Sequence, residues 1–274
     1  LVVRSQTQVT PRVIEAAPTL EVIGRAGVGV DNIDVEAATQ HGISVVNAPT
    51  GNTIAAAEHA FALMIALARN IPRADASMRR GEWTRSKFMG VELRGKTLGI
   101  IGLGRVGSEV AHRAQAFQMR IIAYDPYVSQ ERARSLSAEM VPMPRLLAES
   151  DFITVHTPLT STTRSLIGEE EFKLLKPGVR IINAARGALI QAADLAAALQ
   201  SGKVAGAALD VYEQEPPPAD HPLIGLPNVL HTPHLAASTS DAQITVAVEA
   251  AQLIIDFLLE GKAANVCYPA VNSS

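Results

Sequence analysis

The sequence has a single cysteine, Cys267, so it can form neither an internal disulfide nor a thiolate-built metal site; this usage fits a reducing cytoplasm. It has no excess of either charge. Lys and Arg number 24 against 27 Asp and Glu, and the net charge of −3 gives no broad basic field to attract nucleic acid or anionic lipid. Long hydrophobic runs are missing too: the longest, residues 60–68, is flanked by Glu58, His59 and Arg69 and falls well short of the ~20 residues of a membrane span. Neither a nucleic-acid nor a membrane partner is expected. Glycine (19) and proline (16) occur near ordinary rates and without a period, which excludes collagen-like and low-complexity chains. Metal-type histidine spacing is absent. His231 and His234 lie in a proline-containing stretch without an H-E-x-x-H, and His41, His59, His112 and His221 form no ligand pattern, so no metal is expected.

What is present is a globular composition, 47% hydrophobic and 19% charged over 274 residues, at a length where single cores begin to divide in two. Short β-branched runs at residues 22–24, 44–46, 97–101, 120–124, 152–155, 179–182, 206–209 and 229–231 alternate with amphipathic stretches at 54–68, 106–116, 168–175 and 192–200. That alternation predicts parallel strands joined by helical crossovers, and the runs 97–101 and 179–182 are apolar on both faces, as a covered sheet requires. Turn-rich residues at 47–52 and small residues at 236–240 each precede a long helix, the second expected over 241–259 and stopped by Gly261. Residues 50–236 therefore read as one α/β domain, and residues 1–49 with 237–274 as a second, smaller one. The opening Leu1-Val2-Val3-Arg4 reads as a strand already in progress, without an initiator methionine or basic leader, so an N-terminus cut short is expected.

Gly102-Leu103-Gly104-Arg105-Val106-Gly107 follows a predicted strand and opens a predicted helix. In that setting the first glycine permits the turn, the second lets backbone approach a pyrophosphate and the third lets helix pack on strand, with the helix N-terminus facing the diphosphate. Asp125 closes the next strand, at the distance expected of a carboxylate that binds a ribose 2′-hydroxyl and repels a 2′-phosphate, so NAD is the expected cofactor. Before Pro126 it also reads as an ordinary turn residue. Gly102, Asp125, His156-Thr157-Pro158, Ala185-Arg186-Gly187, Asp210 and the stretch 231–234 each follow a predicted strand within a few residues. In a parallel sheet those strand ends share one edge, where ligands bind.

Three residues on that edge suit hydride chemistry at a 2-hydroxy acid. Arg186 offers a planar fork to a carboxylate, His234 can take a hydroxyl proton, and Glu215 can orient the imidazole. Each has a plain alternative: a solvated arginine, a hydrogen-bonded structural histidine, and an acidic loop in which Glu213 serves nearly as well.

The stretches 24–34, 87–90, 95–105, 152–159, 183–187 and 207–212 closely resemble the D-isomer-specific 2-hydroxyacid dehydrogenases, and the resemblance runs from Val3 to about Ser240. It implies a doubly wound, Rossmann-type NAD-binding domain and a smaller flavodoxin-like α/β domain built from both chain ends. It implies Arg186, Glu215 and His234 as catalytic residues. Cofactor contacts are implied at Gly102, Gly104, Arg105, Val106, Gly107, Asp125, Thr157, Ala184, Ala185, Arg186, Asp210, His234, Ala236 and Ala237. For a phosphorylated 2-hydroxy acid it favours Arg4, Asn52 and Arg85 as ligands beside Arg186 and His234; Arg25 and Lys87 are further cations, and a solvated turn is the plain reading of Arg85 and Lys87. A cytoplasmic homodimer or homotetramer is implied, with the helix over 54–68 against its twin; burial within one chain is the alternative. Four departures stand out: Val28 where the family often has threonine, Ala236 where glycine is usual, a loop from Glu215 to His234 one residue longer, and the expected absence of both the start of the substrate domain and a C-terminal regulatory domain. A reductase of unphosphorylated hydroxy acids and a non-catalytic NAD-binding scaffold are the competing functions.

Overall fold

The computed structural model describes residues 1–261 and 264–267. Its elements run β1 (Val2–Val3), α1 (Pro11–Glu15), β2 (Val22–Arg25), α2 (Val35–Gln40), β3 (Ser44–Asn47), α3 (Thr53–Ala68), α4 (Ile71–Arg79), β4 (Thr97–Ile101), α5 (Arg105–Ala116), β5 (Arg120–Tyr124), α6 (Gln130–Ser135), β6 (Ala138–Met140), α7 (Met143–Glu149), β7 (Phe152–Val155), α8 (Glu169–Leu174), β8 (Val179–Asn183), α9 (Ala192–Gln200), β9 (Val204–Leu209), β10 (Val229–His231) and α10 (Ser240–Glu260). Two compact units result: residues 56–236, and residues 1–55 with the described residues from Ala237 onward.

The larger unit holds a seven-stranded parallel sheet in the order β10-β9-β8-β7-β4-β5-β6. Strand order reverses between β4 and β7, the doubly wound arrangement whose ligand crevice opens at the C-terminal strand ends. Side-chain alternation supplies a core on each face. Leu98, Ile100, Ile121, Phe152 and Ile182 pack with Phe61 and Met64 of α3 and Val110 and Ala114 of α5. Ile101, Ile122, Ile153, Val155 and Ile181 pack with Leu146 of α7, Phe172 of α8 and Leu195 of α9. Central strands buried on both sides explain why their sequences run apolar without a break.

The smaller unit has three parallel strands in the order β1-β2-β3. Ile23 and Val45 join Ile14, Ala37 and Ala38 in a core that includes α1 and α2. Ala26 and Ala48 pack against Val246 and Ala250 of α10. Among the described residues α10 is long and apolar enough to cross a bilayer by length and composition, which corrects the sequence reading that no such segment exists; spaced polar residues break its apolar run. Glu249 of this helix is tied to its own unit, its two oxygens accepting from the Thr50 hydroxyl at 2.9 Å and the Gly51 N–H at 3.0 Å.

Candidate active site

Between β4 and α5 only Gly102, Leu103 and Gly104 make the turn. Gly102 has φ of 92°, and a Cβ there would lie 2.8 Å from the His156 carbonyl; glycine alone fits. At Gly107 a Cβ would fall 2.0 Å from the Gly102 oxygen, so α5 can begin tight against the turn. Gly104 differs, because a Cβ there would meet no protein atom within 4 Å. Internal packing does not require glycine at that position. It keeps open a cradle at the N-terminus of α5, where Arg105 and Val106 start a helix with no side-chain cap, the setting that suits a diphosphate.

Two side chains border this loop. The Thr157 hydroxyl is buried and has no hydrogen-bond partner, as befits a group placed for a polar ligand. Asp125 accepts from the Leu103 N–H at 2.9 Å and the Tyr127 N–H at 2.8 Å, one on each oxygen, and each oxygen retains acceptor capacity for a ribose hydroxyl. The cradle, the orphaned hydroxyl and the clipped carboxylate together fit a dinucleotide.

Farther along the sheet edge, β8 ends in Asn183, whose side chain folds over the following loop. Its Nδ2 donates to the Arg186 carbonyl at 2.9 Å and its Oδ1 accepts from the Ala185 N–H at 3.1 Å, closing the turn through Ala184. Gly187 lets this loop touch the chain after β9, since a Cβ there would come within 2.0 Å of the Tyr212 carbonyl carbon. That contact brings Arg186 beside the Glu215 segment; its Nη1 donates to the Ala185 carbonyl at 2.7 Å, and its positive charge is felt at both Glu215 and His234.

His234 follows β10 in the turn Thr232-Pro233-His234-Leu235-Ala236 and adopts φ of 55°. Its Nδ1 lies 2.6 Å from Glu215 Oε2, while Glu215 Oε1 accepts from the Tyr212 N–H at 3.1 Å. Glu213, the rival by sequence, pairs instead with Arg164 at 3.1 Å on the surface. The hydrogen bond from Glu215 raises the His234 pKa above the ordinary histidine value against the opposing effects of burial and Arg186. For Glu215, burial works upward, yet the bonds from His234 and Tyr212 prevail and hold it below the usual carboxylate range. Burial pushes His156 down to about 4 and also lowers His231. Of these three strand-end histidines, His234 alone is raised and set against a carboxylate, the pattern of an acid–base group.

Asp210 is fully enclosed. Its carboxylate accepts from the Thr232 hydroxyl at 2.5 Å, the Leu235 N–H at 2.8 Å, the Ala236 N–H at 2.9 Å and His59 Nε2 at 3.1 Å. These four donors match the acceptor capacity of a carboxylate, so Asp210 serves first as the anchor of the 232–236 turn. His59 had no visible role by sequence, because its partners are remote in the chain. Arg4, Arg25, Asn52 and Ala237 belong to the smaller unit, while Arg85 and Lys87 of the larger unit occupy a short helical turn, Arg85–Phe88, that buries no residue.

Residues 61–236 match the D-isomer-specific 2-hydroxyacid dehydrogenase NAD-binding domain. The chain belongs to the D-isomer-specific 2-hydroxyacid dehydrogenase family. It is 59% identical over 256 residues to D-3-phosphoglycerate dehydrogenase of Archaeoglobus fulgidus, covering 93% of this chain and 49% of that protein. To the Bacillus subtilis protein of that name it is 50% identical over 257 residues, 94% of this chain and 49% of the relative. The chain thus spans about half the length of the curated relatives it matches. Among solved structures it resembles D-lactate dehydrogenase of Aquifex aeolicus complexed with NAD and lactic acid, with TM-score 0.86 and 31% identity over 97% of this chain and 85% of that one.

Proposed function

We propose that this chain carries the NAD-dependent oxidation of 3-phospho-D-glycerate to 3-phosphohydroxypyruvate, the activity that opens serine biosynthesis, in the cytoplasm. The observation that carries the reading is the His234–Glu215 pair at 2.6 Å beside Arg186, on the ligand-binding edge of a doubly wound sheet. Identity of 50–59% to relatives named for this reaction supports the choice of substrate.

Arg186 holds the substrate carboxylate through its planar guanidinium and polarises the neighbouring C2 centre. Because the Nδ1–H of His234 donates to Glu215, Nε2 keeps the lone pair that receives the C2 hydroxyl proton. Glu215 fixes the ring and stabilises the imidazolium that forms. The nicotinamide cofactor would supply the acceptor for the hydride released from C2. Gly102, Gly104, the N-terminus of α5 and Thr157 would hold its diphosphate side and Asp125 its ribose, with further contacts at Ala184, Ala185 and Ala236. The smaller unit is the substrate-binding domain and carries Arg4 and Asn52 as candidate ligands for the phosphate; Arg85 is a separate candidate in the larger unit.

The protein works as a homodimer. Large apolar side chains on and after α4 support this reading: Ile71, Met78, Trp83 and Met89 are all exposed, whereas Phe61, Leu63 and Met64 of α3 are buried within the chain. Steady-state reduction of NAD with a panel of 2-hydroxy acids tests the substrate. A kcat/KM for 3-phospho-D-glycerate well above those for D-glycerate and D-lactate is expected, and preference for an unphosphorylated acid would overturn the assignment.

A further inference from the structure

His59 sits on α3 among Ala57, Ala60, Phe61, Leu63 and Met64, all buried. It turns a polar edge toward the sheet. Its Nε2 lies 3.1 Å from Asp210 Oδ1 and 3.2 Å from the Thr232 hydroxyl. Asp210 in turn grips the turn that bears His234 at several points: its carboxylate accepts from Thr232, Leu235 and Ala236, and its carbonyl accepts from the His234 N–H at 2.8 Å. Between a helix of the outer layer and the left-handed backbone at His234 there is thus one fully buried carboxylate.

We propose that His59 is a positioning residue for His234: by donating from Nε2 to Asp210 it fixes the carboxylate that sets the 232–236 turn and so the direction in which His234 presents its free nitrogen. The proposal rests on His234 being the base. The charged groups that bear on His234 are Glu215, Asp210 and Arg186. His59 therefore has a second effect. By donating to Asp210 it tempers the negative charge that favours the imidazolium, so its loss leaves His234 both less firmly directed and more basic.

Two amide variants separate positioning from packing. In His59→Gln the side-chain amide nitrogen reaches the place of imidazole Nε2; in His59→Asn it stops short. The full chain is assayed for NAD reduction with 3-phospho-D-glycerate, and His234 is titrated by NMR. We expect His59→Asn to lower kcat about tenfold, the worth of one hydrogen bond to a buried charge, and to shift the His234 titration to higher pH. His59→Gln should keep kcat within about threefold of the wild type with the titration unmoved. Equal kcat in the two variants, whether both normal or both depressed, or a His234 titration that neither variant moves, overturns the proposal. Failure of the base assignment is seen separately, as full turnover in His234→Asn, and the NMR readout does not depend on turnover.

Discussion

His234 is bound through Nδ1 to Glu215, and that single contact fixes both the tautomer and the basicity of the ring. Oxidation needs the imidazole neutral, so kcat/KM for the hydroxy acid should rise with pH through a value above that of an unperturbed histidine. Removing the carboxylate in Glu215→Gln takes away the largest raising influence, so the limb should move to lower pH while the maximal rate falls; a pH–rate profile for the two proteins checks both. In the proposed mechanism Arg186 acts by shape as well as charge. Arg186→Lys should lose roughly 10²-fold in kcat/KM, since an ammonium cannot reproduce the fork, and unchanged constants would contradict this. At the cofactor end, Asp125→Ala should narrow the preference for NAD over NADP, measured as the ratio of kcat/KM values. It should also loosen the glycine loop, because the same carboxylate accepts from the Leu103 N–H.

Among the elements, the turn over residues 232–236 carries the most consequence, and it hangs on Asp210. Asp210→Asn puts an N–H₂ group among four donors in an enclosed site and should cost roughly 3 kcal/mol in unfolding free energy, read from denaturant midpoints at neutral pH. Burial acts to raise the Asp210 pKa, but the donors from His59, Thr232, Leu235 and Ala236 outweigh it and hold the group below its ordinary value. The stabilisation is therefore present above the unfolded value and lost as pH falls through the folded one, so the gap between wild type and variant should begin to close only below about pH 4, the unfolded value. The central strands were legible because they are buried on both faces: β4, β5 and β7 begin and end where the apolar runs do. β6 was not. Ala138-Glu139-Met140 is a short edge strand with no β-branched residue, and Glu139 is spent on Arg120 and Arg145. The short helices α6 and α7 were hidden for a related reason, being a turn or two of chain held by the Ser129 cap and by Pro142 rather than by a long apolar stripe. In the site, motif and strand ends pointed to the glycine loop and to Arg186 and His234. The choice between Glu213 and Glu215 was open, because two carboxylates two positions apart differ only in direction. His59 was illegible, since its partners lie 151 and 173 residues away.

For the whole molecule, the unpartnered apolar side chains between Ile71 and Met89 bear on assembly. Trp83 is the only tryptophan in the sequence and is 76% exposed in the single chain. Formation of a dimer through this segment should shift its emission to the blue as concentration rises, and light scattering should give twice the chain mass. A monomeric mass with a fully hydrated tryptophan spectrum would contradict that assembly. The larger unit gathers Arg186, Glu215 and His234 from three separate strand ends, and the proposed mechanism requires them to act as one site. Stopped-flow and steady-state formation of NADH from 3-phospho-D-glycerate by His234→Asn tests this most directly. A loss of roughly 10²–10⁴-fold in kcat with unchanged affinity for NAD is the expected result, and turnover at the wild-type rate would contradict the account.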